Sequence, residues 1–213
     1  MAVTPMRRIV VGITGASGSV YGIRLLEILR EVAGIETHLV LSRAARQTLQ
    51  LETTLKVEQV EALAHAVHAP TDIGAAISSG SFRTHAMVIA PCSIKTMSNI
   101  AWGNTGELIA RAADVVLKER RRLVLMLRET PLHTGHLESM LRISQIGGVL
   151  FPPVPAFYHR PQSVADIVDQ SVMRCLDLID VECDAALRWG EASRRLLTAS
   201  PAPADRALQG HPA

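Results

Sequence analysis

The sequence has few aromatic residues, few cysteines and no long apolar run, and each shortage excludes a class of protein. Only 3% of the 213 residues are Phe, Trp or Tyr, so the core that the 48% hydrophobic content predicts must be aliphatic. Cys92, Cys175 and Cys183 form no Cys-x-x-Cys motif, so we predict no metal site. No pattern pairs Cys92 with a base, and we expect a buried structural thiol. No apolar run approaches the roughly 20 residues that a membrane-spanning helix needs.

A charge excess of one sign is also lacking. Lys and Arg number 22 and Asp and Glu number 20, and a net charge of +2 is too small to predict a nucleic-acid partner. The basic cluster Arg120–Arg122 precedes a predicted strand and is expected to be a solvated helix end. The apolar run after Arg7 and Arg8 is short and contains Gly12, which argues against a signal peptide. We therefore expect a cytoplasmic protein that binds neither nucleic acid nor a membrane.

Apolar periodicity predicts that strands alternate with helices along the chain. The predicted strands cover residues 8–14, 37–41, 85–90, 123–127 and 149–150. The predicted helices cover residues 20–32, 43–51, 57–67, 96–101, 106–120, 135–146 and 163 to about 189, with Ser42 and Ser163 as N-caps. This alternation predicts one α/β domain over residues 1–197, with three layers and a doubly wound, mostly parallel sheet. The Ala, Pro and polar composition of residues 198–213 predicts a disordered tail.

Gly- and Ser-rich turns after predicted strands are candidate ligand sites. Gly12–Gly18 separates the first strand from a helix, where free backbone N–H groups and the positive helix end can hold a phosphate. Its spacing is not Gly-x-Gly-x-x-Gly, and a plain tight turn is the alternative. Pro91–Thr96 is a second such turn, and the pair can line one crevice for a phosphate and a ring system. A short-chain reductase is disfavoured, because neither Tyr21 nor Tyr158 has a Lys four residues on.

An Arg-Glu pair follows the buried strand at 123–127. Ligands of open α/β sheets bind outside the carboxyl ends of the strands, so Arg128 and Glu129 indicate an anionic ligand with proton transfer nearby. The alternative is a surface ion pair that closes a loop. The preceding helix carries charged residues three or four apart, which predicts exposed ion pairs on one face: Glu107, Arg111, Asp114 and Lys118.

A series of short motifs occurs in an order that is typical of one family. The motifs are Thr14-Gly-Ala-Ser-Gly18, Ser79-Gly-Ser-Phe82, Ala90-Pro-Cys-Ser93, Arg111-Ala-Ala-Asp-Val115, Leu117-Lys-Glu-Arg-Arg121, Arg128-Glu-Thr-Pro-Leu132 and Pro155-Ala-Phe-Tyr158. On these motifs, over residues 7–189, the chain resembles the flavin prenyltransferases of the UbiX/Pad type. Its likeness is greatest to members that are named as subunits of hydroxyarylic acid decarboxylases. The resemblance implies a flavodoxin-like or Rossmann-like fold and trimers that assemble into a homododecamer.

The resemblance also implies a reaction. A dimethylallyl group passes from dimethylallyl phosphate, or the diphosphate in some members, to N5 and C6 of reduced FMN without a metal. The product, prenylated FMN, serves a partner decarboxylase of an aromatic acid. An FMN-binding accessory subunit of such a decarboxylase is an alternative. A flavin-dependent cysteinyl-peptide decarboxylase is another, but the chain has no Pro-x-Met-Asn loop, and His38 lies within a predicted strand rather than after the first helix.

Residue roles follow from the same resemblance. The implied FMN-binding residues are Gly15, Ala16, Ser17, Ser42, Ser93, Ile94, Lys95, Thr96 and Arg128. The implied residues for the prenyl phosphate are Lys118, Arg128, Tyr158 and Arg174, with Trp189 as an aromatic near the site. Glu129 would move a proton between the phosphate and the flavin, Ser17 would relay or orient it, and Lys118 would stabilise the leaving group. The chain departs from the family at Ile94, where Met is common, and at Gly106-Glu107, where Asp-Asn is usual.

Overall fold

The structure is a six-stranded parallel sheet with helices on both faces. The computed structural model describes residues 6–182. The strands are β1 (Arg7–Ile13), β2 (Ile35–Leu41), β3 (Ala66–His68), β4 (Ala86–Cys92), β5 (Arg122–Leu127) and β6 (Val149–Leu150). The helices are α1 (Ser19–Glu31), α2 (Arg43–Glu52), α3 (Val57–Glu61), α4 (Ile94–Ala101), α5 (Leu108–Lys118), α6 (Thr134–Gln145) and α7 (Val164–Asp177), with a 3-10 turn at Ala76–Ser78. The predicted α/β class is confirmed.

The strand order β3-β2-β1-β4-β5-β6 reverses direction between β1 and β4. Without the short β3, the order is that of flavodoxin-like folds, and with β3 it is that of the dinucleotide-binding folds. In both, the point of reversal opens a crevice at the carboxyl ends of the strands, where ligands bind. The fold therefore places a candidate site between the ends of β1 and β4.

Aliphatic side chains fill the space on both faces of the sheet. Ile9 and Val11 of β1 pack in the layer that contains α1, α2, α3 and α7, and Val10 packs in the layer that contains α4, α5 and α6. The alternation follows from the two-residue period of a strand. No Phe, Trp or Tyr is among the buried core residues of segment 6–182, so the prediction of an aliphatic core is confirmed there. None of the helices in that segment is long and apolar enough to cross a membrane.

The predicted helix over 57–67 is wrong in its second half. The helix ends at Glu61, and Ala66–His68 form β3, which pairs in parallel with β2. Thr37 of β2 fixes His65, the residue just before β3, with two hydrogen bonds. Its backbone N–H donates to His65 Nδ1 at 3.1 Å, and its Oγ1 accepts from His65 N–H at 3.2 Å. The pairing with β2 therefore overrides the weak helical preference of the segment.

The predicted helix from 163 to about 189 is too long. The helix α7 ends at Asp177, and Asp180 has a φ of 54°, a left-handed conformation that is typical just beyond a helix end. The N–H of Val181 donates back to Leu176 O at 3.1 Å, which closes the turn. The rest of the predicted helix, Trp189 and the predicted tail at 198–213 lie outside the described residues.

Two arginines of the basic cluster Arg120–Arg122 form hydrogen bonds within the protein that the sequence does not predict. Arg121 is only 16% exposed in its side chain, and its guanidinium donates to Gly80 O, Phe82 O and Thr84 Oγ1. Arg122 donates to Leu178 O beyond α7. The expectation of a solvated helix end is therefore wrong for Arg121. Its guanidinium has five N–H donors, and it uses them to bind acceptors of the loop at residues 80–84.

Close packing of α1 on β4 predicts that Gly22→Ala is destabilising. A Cβ at this position would lie 2.2 Å from Ala90 O and 2.7 Å from Ile13 Cδ1. We expect a loss of about 2 kcal/mol in the free energy of unfolding, despite the better helix propensity of Ala. Thermal unfolding at fixed protein concentration measures it. Gly135→Ala is the control, because an added Cβ there meets only the His133 side chain. Equal melting temperatures for the two variants would contradict the packing argument.

Candidate active site

A buried threonine joins the two turns at the point where the strand order reverses. Thr14 Oγ1 donates to Pro91 O at 2.7 Å and accepts from Ser93 N–H at 2.8 Å. The Thr14 N–H also donates to Pro91 O, at 3.2 Å. The Ala90–Pro91 peptide bond is cis. These bonds fix the turn after β1 against the turn after β4, so both face the same cleft.

Helix N-termini point into this cleft from its walls. Ser42 caps α2 by accepting from Ala45 N–H at 3.0 Å, as predicted, and Ser93 caps α4 by accepting from Thr96 N–H at 3.3 Å. Each helix start carries a partial positive charge and leaves N–H groups free for an anion. The cleft has a volume of about 540 Å³, a size typical of ligand sites.

The lining of the cleft agrees in large part with the residues implied for flavin binding. It consists of Gly15, Ser42, Arg43, Ala44, Gln47, Ser93, Lys95, Thr96 and Glu107. Of the implied residues, Gly15, Ser42, Ser93, Lys95 and Thr96 are thus brought together by the fold. Sequence reasoning missed Arg43 and Gln47, although Arg43 directly follows a predicted N-cap. A Cβ on Gly15 would lie 2.4 Å from Ala44 Cβ, so glycine is needed where this turn meets α2.

The N-terminus of α1 is occupied by a carboxylate of the chain itself. Glu52, the last residue of α2, accepts from Gly18 N–H at 3.0 Å and from Ser19 N–H at 2.8 Å. Burial raises the pKa of this carboxyl, but hydrogen bonds from the Ser17 hydroxyl and from these backbone groups outweigh it and lower the pKa. The prediction that this helix end holds a phosphate is therefore wrong for Gly18 and Ser19. No sequence signal connects Glu52 to a turn more than thirty residues earlier.

Arg128 and Glu129 lie at the end of β5, next to the cleft. The Arg128 N–H donates to Cys92 O at 3.1 Å, which continues the sheet past the end of the strand. Glu129 Oε1 accepts from Thr130 N–H at 3.0 Å, and both side chains are exposed. No ion pair joins Arg128 to Glu129 in the described structure, so the surface-pair alternative does not form. Burial raises the pKa of the Cys92 thiol far above its usual range, and this thiol is structural as expected.

Lys118 and Arg174 lie at the opposite edge of the sheet. The helices of a parallel α/β unit run against the strands, so α5 and α7 both end at the amino edge. Lys118 Nζ is 2.7 Å from Glu119 Oε1 there, and Arg174 pairs with Asp177. The six-residue β5, about 20 Å long, lies between the end of α5 and Arg128. One chain therefore does not bring Lys118 and Arg174 to Arg128, and a shared site requires a second copy.

The remaining implied residues occupy separate places. Tyr158 lies on the loop after β6, and its hydroxyl accepts from Gln170 Nε2 at 3.2 Å. Ile94 is the first residue of α4 and is half-buried. The predicted ladder along α5 forms only between Arg111 and Asp114, because Glu107 pairs with Lys95 instead. Among residues 6–182, no group of His, Cys, Asp or Glu side chains could hold a metal ion.

Comparison with known proteins gives consistent matches over most of the chain. The family model described as Flavoprotein matches residues 3–176. Flavin prenyltransferase UbiX of Escherichia coli strain K12 is 59% identical over 186 residues, which is 86% of this chain and 98% of that protein. The crystal structure of AnUbiX (PadA1) in complex with FMN and dimethylallyl pyrophosphate has a TM-score of 0.84 and 51% identity, over 86% of this chain and 97% of that chain.

A related assembly gives a similar match. The crystal structure of a dodecameric FMN-dependent UbiX-like decarboxylase from Escherichia coli O157:H7 has a TM-score of 0.84 and 50% identity. The match covers 85% of this chain and 98% of that chain. Both the overall fold and at least half of the aligned sequence are therefore shared with these proteins. The chain belongs to the flavin prenyltransferases of the UbiX type, within the flavoprotein family.

Proposed function

We propose that the chain transfers a dimethylallyl group from dimethylallyl phosphate to N5 and C6 of reduced FMN, and that the prenylated FMN passes to a partner decarboxylase. The observation that carries the proposal is the cleft with two capped helix N-termini next to Arg128 and Glu129. We place the reaction in the cytoplasm and assign it to a single domain over residues 1–197.

The cleft suits FMN for several physical reasons. The starts of α2 and α4 present N–H groups and positive partial charge to a phosphate. Arg43 and Lys95 also line the cleft and add positive charge to it. Gly15 lets the turn after β1 pack against Ala44 at the start of α2, which a side chain would prevent. When bound, reduced FMN supplies the nucleophilic N5 and C6 atoms, and the chain contributes binding and orientation.

The departing phosphate needs positive charge as the allylic C–O bond breaks. The backbone of Arg128 is bonded to Cys92, the neighbour of Ser93 in the cleft, and a guanidinium can bind two phosphate oxygens at once. Lys118, Tyr158 and Arg174 complete the phosphate site when copies assemble in trimers and a homododecamer, each copy supplying part of it. The loss of one such charged donor typically costs about 3 kcal/mol of transition-state stabilisation. Trp189, the aromatic residue that the resemblance implies near the site, lies outside the described residues.

Two carboxylates flank the proposed reaction centre. Glu129 is oriented by the N–H of Thr130, and we assign it the proton transfer between the phosphate and the flavin ring. Against the effect of burial, hydrogen bonding to the Ser17 hydroxyl and to the N–H groups of Gly18 and Ser19 lowers the pKa of the Glu52 carboxyl, which stays ionised. We assign Ser17 the role of relaying or orienting the proton, with Glu52 as the residue that positions Ser17.

The alternatives are not favoured. An FMN-binding accessory subunit would need the cleft but not Lys118, Glu129, Tyr158 and Arg174 together. A cysteinyl-peptide decarboxylase would need the Pro-x-Met-Asn loop, which the chain lacks. His38 is buried in β2 and forms a hydrogen bond with His68, so it does not reach the cleft.

Anaerobic incubation with reduced FMN and dimethylallyl phosphate tests the proposal directly. We expect mass spectrometry of the extracted flavin to show the added five-carbon group. Dimethylallyl diphosphate in a parallel reaction identifies the preferred donor. Flavin that binds but stays unmodified with both donors would support the accessory subunit instead.

Glu129→Gln is expected to retain FMN binding and to lose proton transfer. The amide keeps the size and the hydrogen-bond acceptor but cannot take a proton, so formation of prenylated FMN should slow about 100-fold or more. FMN titration and timed mass spectrometry measure the two effects separately. Glu138→Gln, at an exposed glutamate on α6, is the matched control. Full turnover by the Glu129 variant would remove Glu129 from the mechanism.

Thr14→Val is expected to weaken FMN binding about tenfold, because it deletes the hydroxyl that joins the two turns. The Ser93 N–H loses its buried acceptor, and Pro91 O keeps only the bond from the Thr14 backbone N–H. Fluorescence titration of FMN and thermal unfolding measure affinity and stability. Thr37→Val is the control, since Thr37 is equally buried and bonds His65 away from the cleft. Thr37→Val should lower stability but not FMN affinity, and equal affinity losses in both variants would contradict the assignment.

A further inference from the structure

A salt bridge lies across the mouth of the proposed flavin cleft. Lys95 Nζ, at the start of α4, is 2.9 Å from Glu107 Oε1, just before α5. Both residues line the cleft, and their side chains are 72% and 49% exposed. The ammonium group that is available to an anionic ligand therefore already has a partner from the chain itself.

The side-chain carboxylate of Glu107 does not stabilise α5 by capping it. Glu107 is the N-cap residue of α5, but its side chain forms no capping hydrogen bond. Arg111, one turn further along α5, pairs with Asp114 and not with Glu107. Only the backbone carbonyl of Glu107 takes part in the helix, by accepting from Arg111 N–H. Neither capping nor pairing along α5 thus explains the acidic side chain at this position.

Glu107 is the one acidic side chain among the residues that line the cleft. Arg43, Lys95 and the starts of α2 and α4 all favour an anion there. A carboxylate at the same place competes with a phosphate for the ammonium of Lys95. We propose that Glu107 is a release residue, which exchanges with the flavin phosphate as the partner of Lys95 and so speeds dissociation of the flavin from the cleft.

This inference rests on the proposed function, since it takes the cleft as the FMN site. FMN and prenylated FMN carry the same phosphate, so competition by Glu107 acts on substrate and product alike. A protein that passes its product to another enzyme gains from a shorter residence time of that product. Affinity differences between related complexes arise mostly in dissociation rates, and we expect the effect of Glu107 there.

Flavin titrations of the full chain test the inference. Glu107→Gln should lower the Kd of FMN about two- to fivefold, the range for an exposed ion pair, through slower dissociation. The gain should shrink at high salt. Riboflavin lacks the phosphate and should bind both forms equally well. The gain should also vanish when Glu107→Gln is introduced into Lys95→Met. Asp114→Asn on the same helix is the matched control and should leave the Kd of FMN unchanged.

Distinct outcomes separate the inference from the proposed function. Unchanged or weaker FMN binding by Glu107→Gln would overturn the inference, and so would an equal gain for riboflavin, which would indicate an effect of shape. If the parent chain binds neither FMN nor riboflavin, the proposed function fails, and the inference fails with it. Tighter FMN binding that depends on Lys95 supports both.

Discussion

The Thr14 hydroxyl is the contact on which the geometry of the cleft depends. It is buried, and it both donates to the turn after β4 and accepts from it. The Ser93 N–H finds its acceptor in this hydroxyl, and burying such a group alone costs about 1–3 kcal/mol. One side chain bonds Pro91 O and Ser93 N–H and fixes the start of α4 against the end of β1. The start of α2 is joined to β1 separately, by Ser42 N–H donating to Ile13 O at 3.0 Å.

The parallel sheet also explains why one chain is incomplete. Every strand end that could meet the flavin is at the carboxyl edge, whereas α5 and α7 deliver Lys118 and Arg174 to the amino edge. Crossing the sheet within one protomer would need a side chain much longer than any available. Assembly of copies is therefore a requirement of the chemistry that we assign, and not only a means of stabilisation.

Features that depend on neighbouring residues were predictable from the sequence, whereas contacts between distant residues were not. The bounds of β6 and the capping by Ser42 follow from nearest neighbours, and the structure agrees with both. The strand β3 has three residues, too few for a period, and its pairing depends on β2. Glu52 reaches the start of α1 only because α2 returns beside it, and Glu107 pairs across helices rather than along α5 as the spacing predicted.

The aliphatic core has a spectroscopic consequence. No Phe, Trp or Tyr of residues 6–182 is fully buried in the core, and Trp102 is 66% exposed with its indole N–H bonded to Ser139. Emission from Trp102 therefore reports on the surface of α4 and α6, and it is insensitive to the packing around the sheet. Circular dichroism of the backbone is the signal that follows the core. With only 2 Trp and 2 Tyr in the chain, the near-ultraviolet absorption of a bound flavin stands out against a weak protein background.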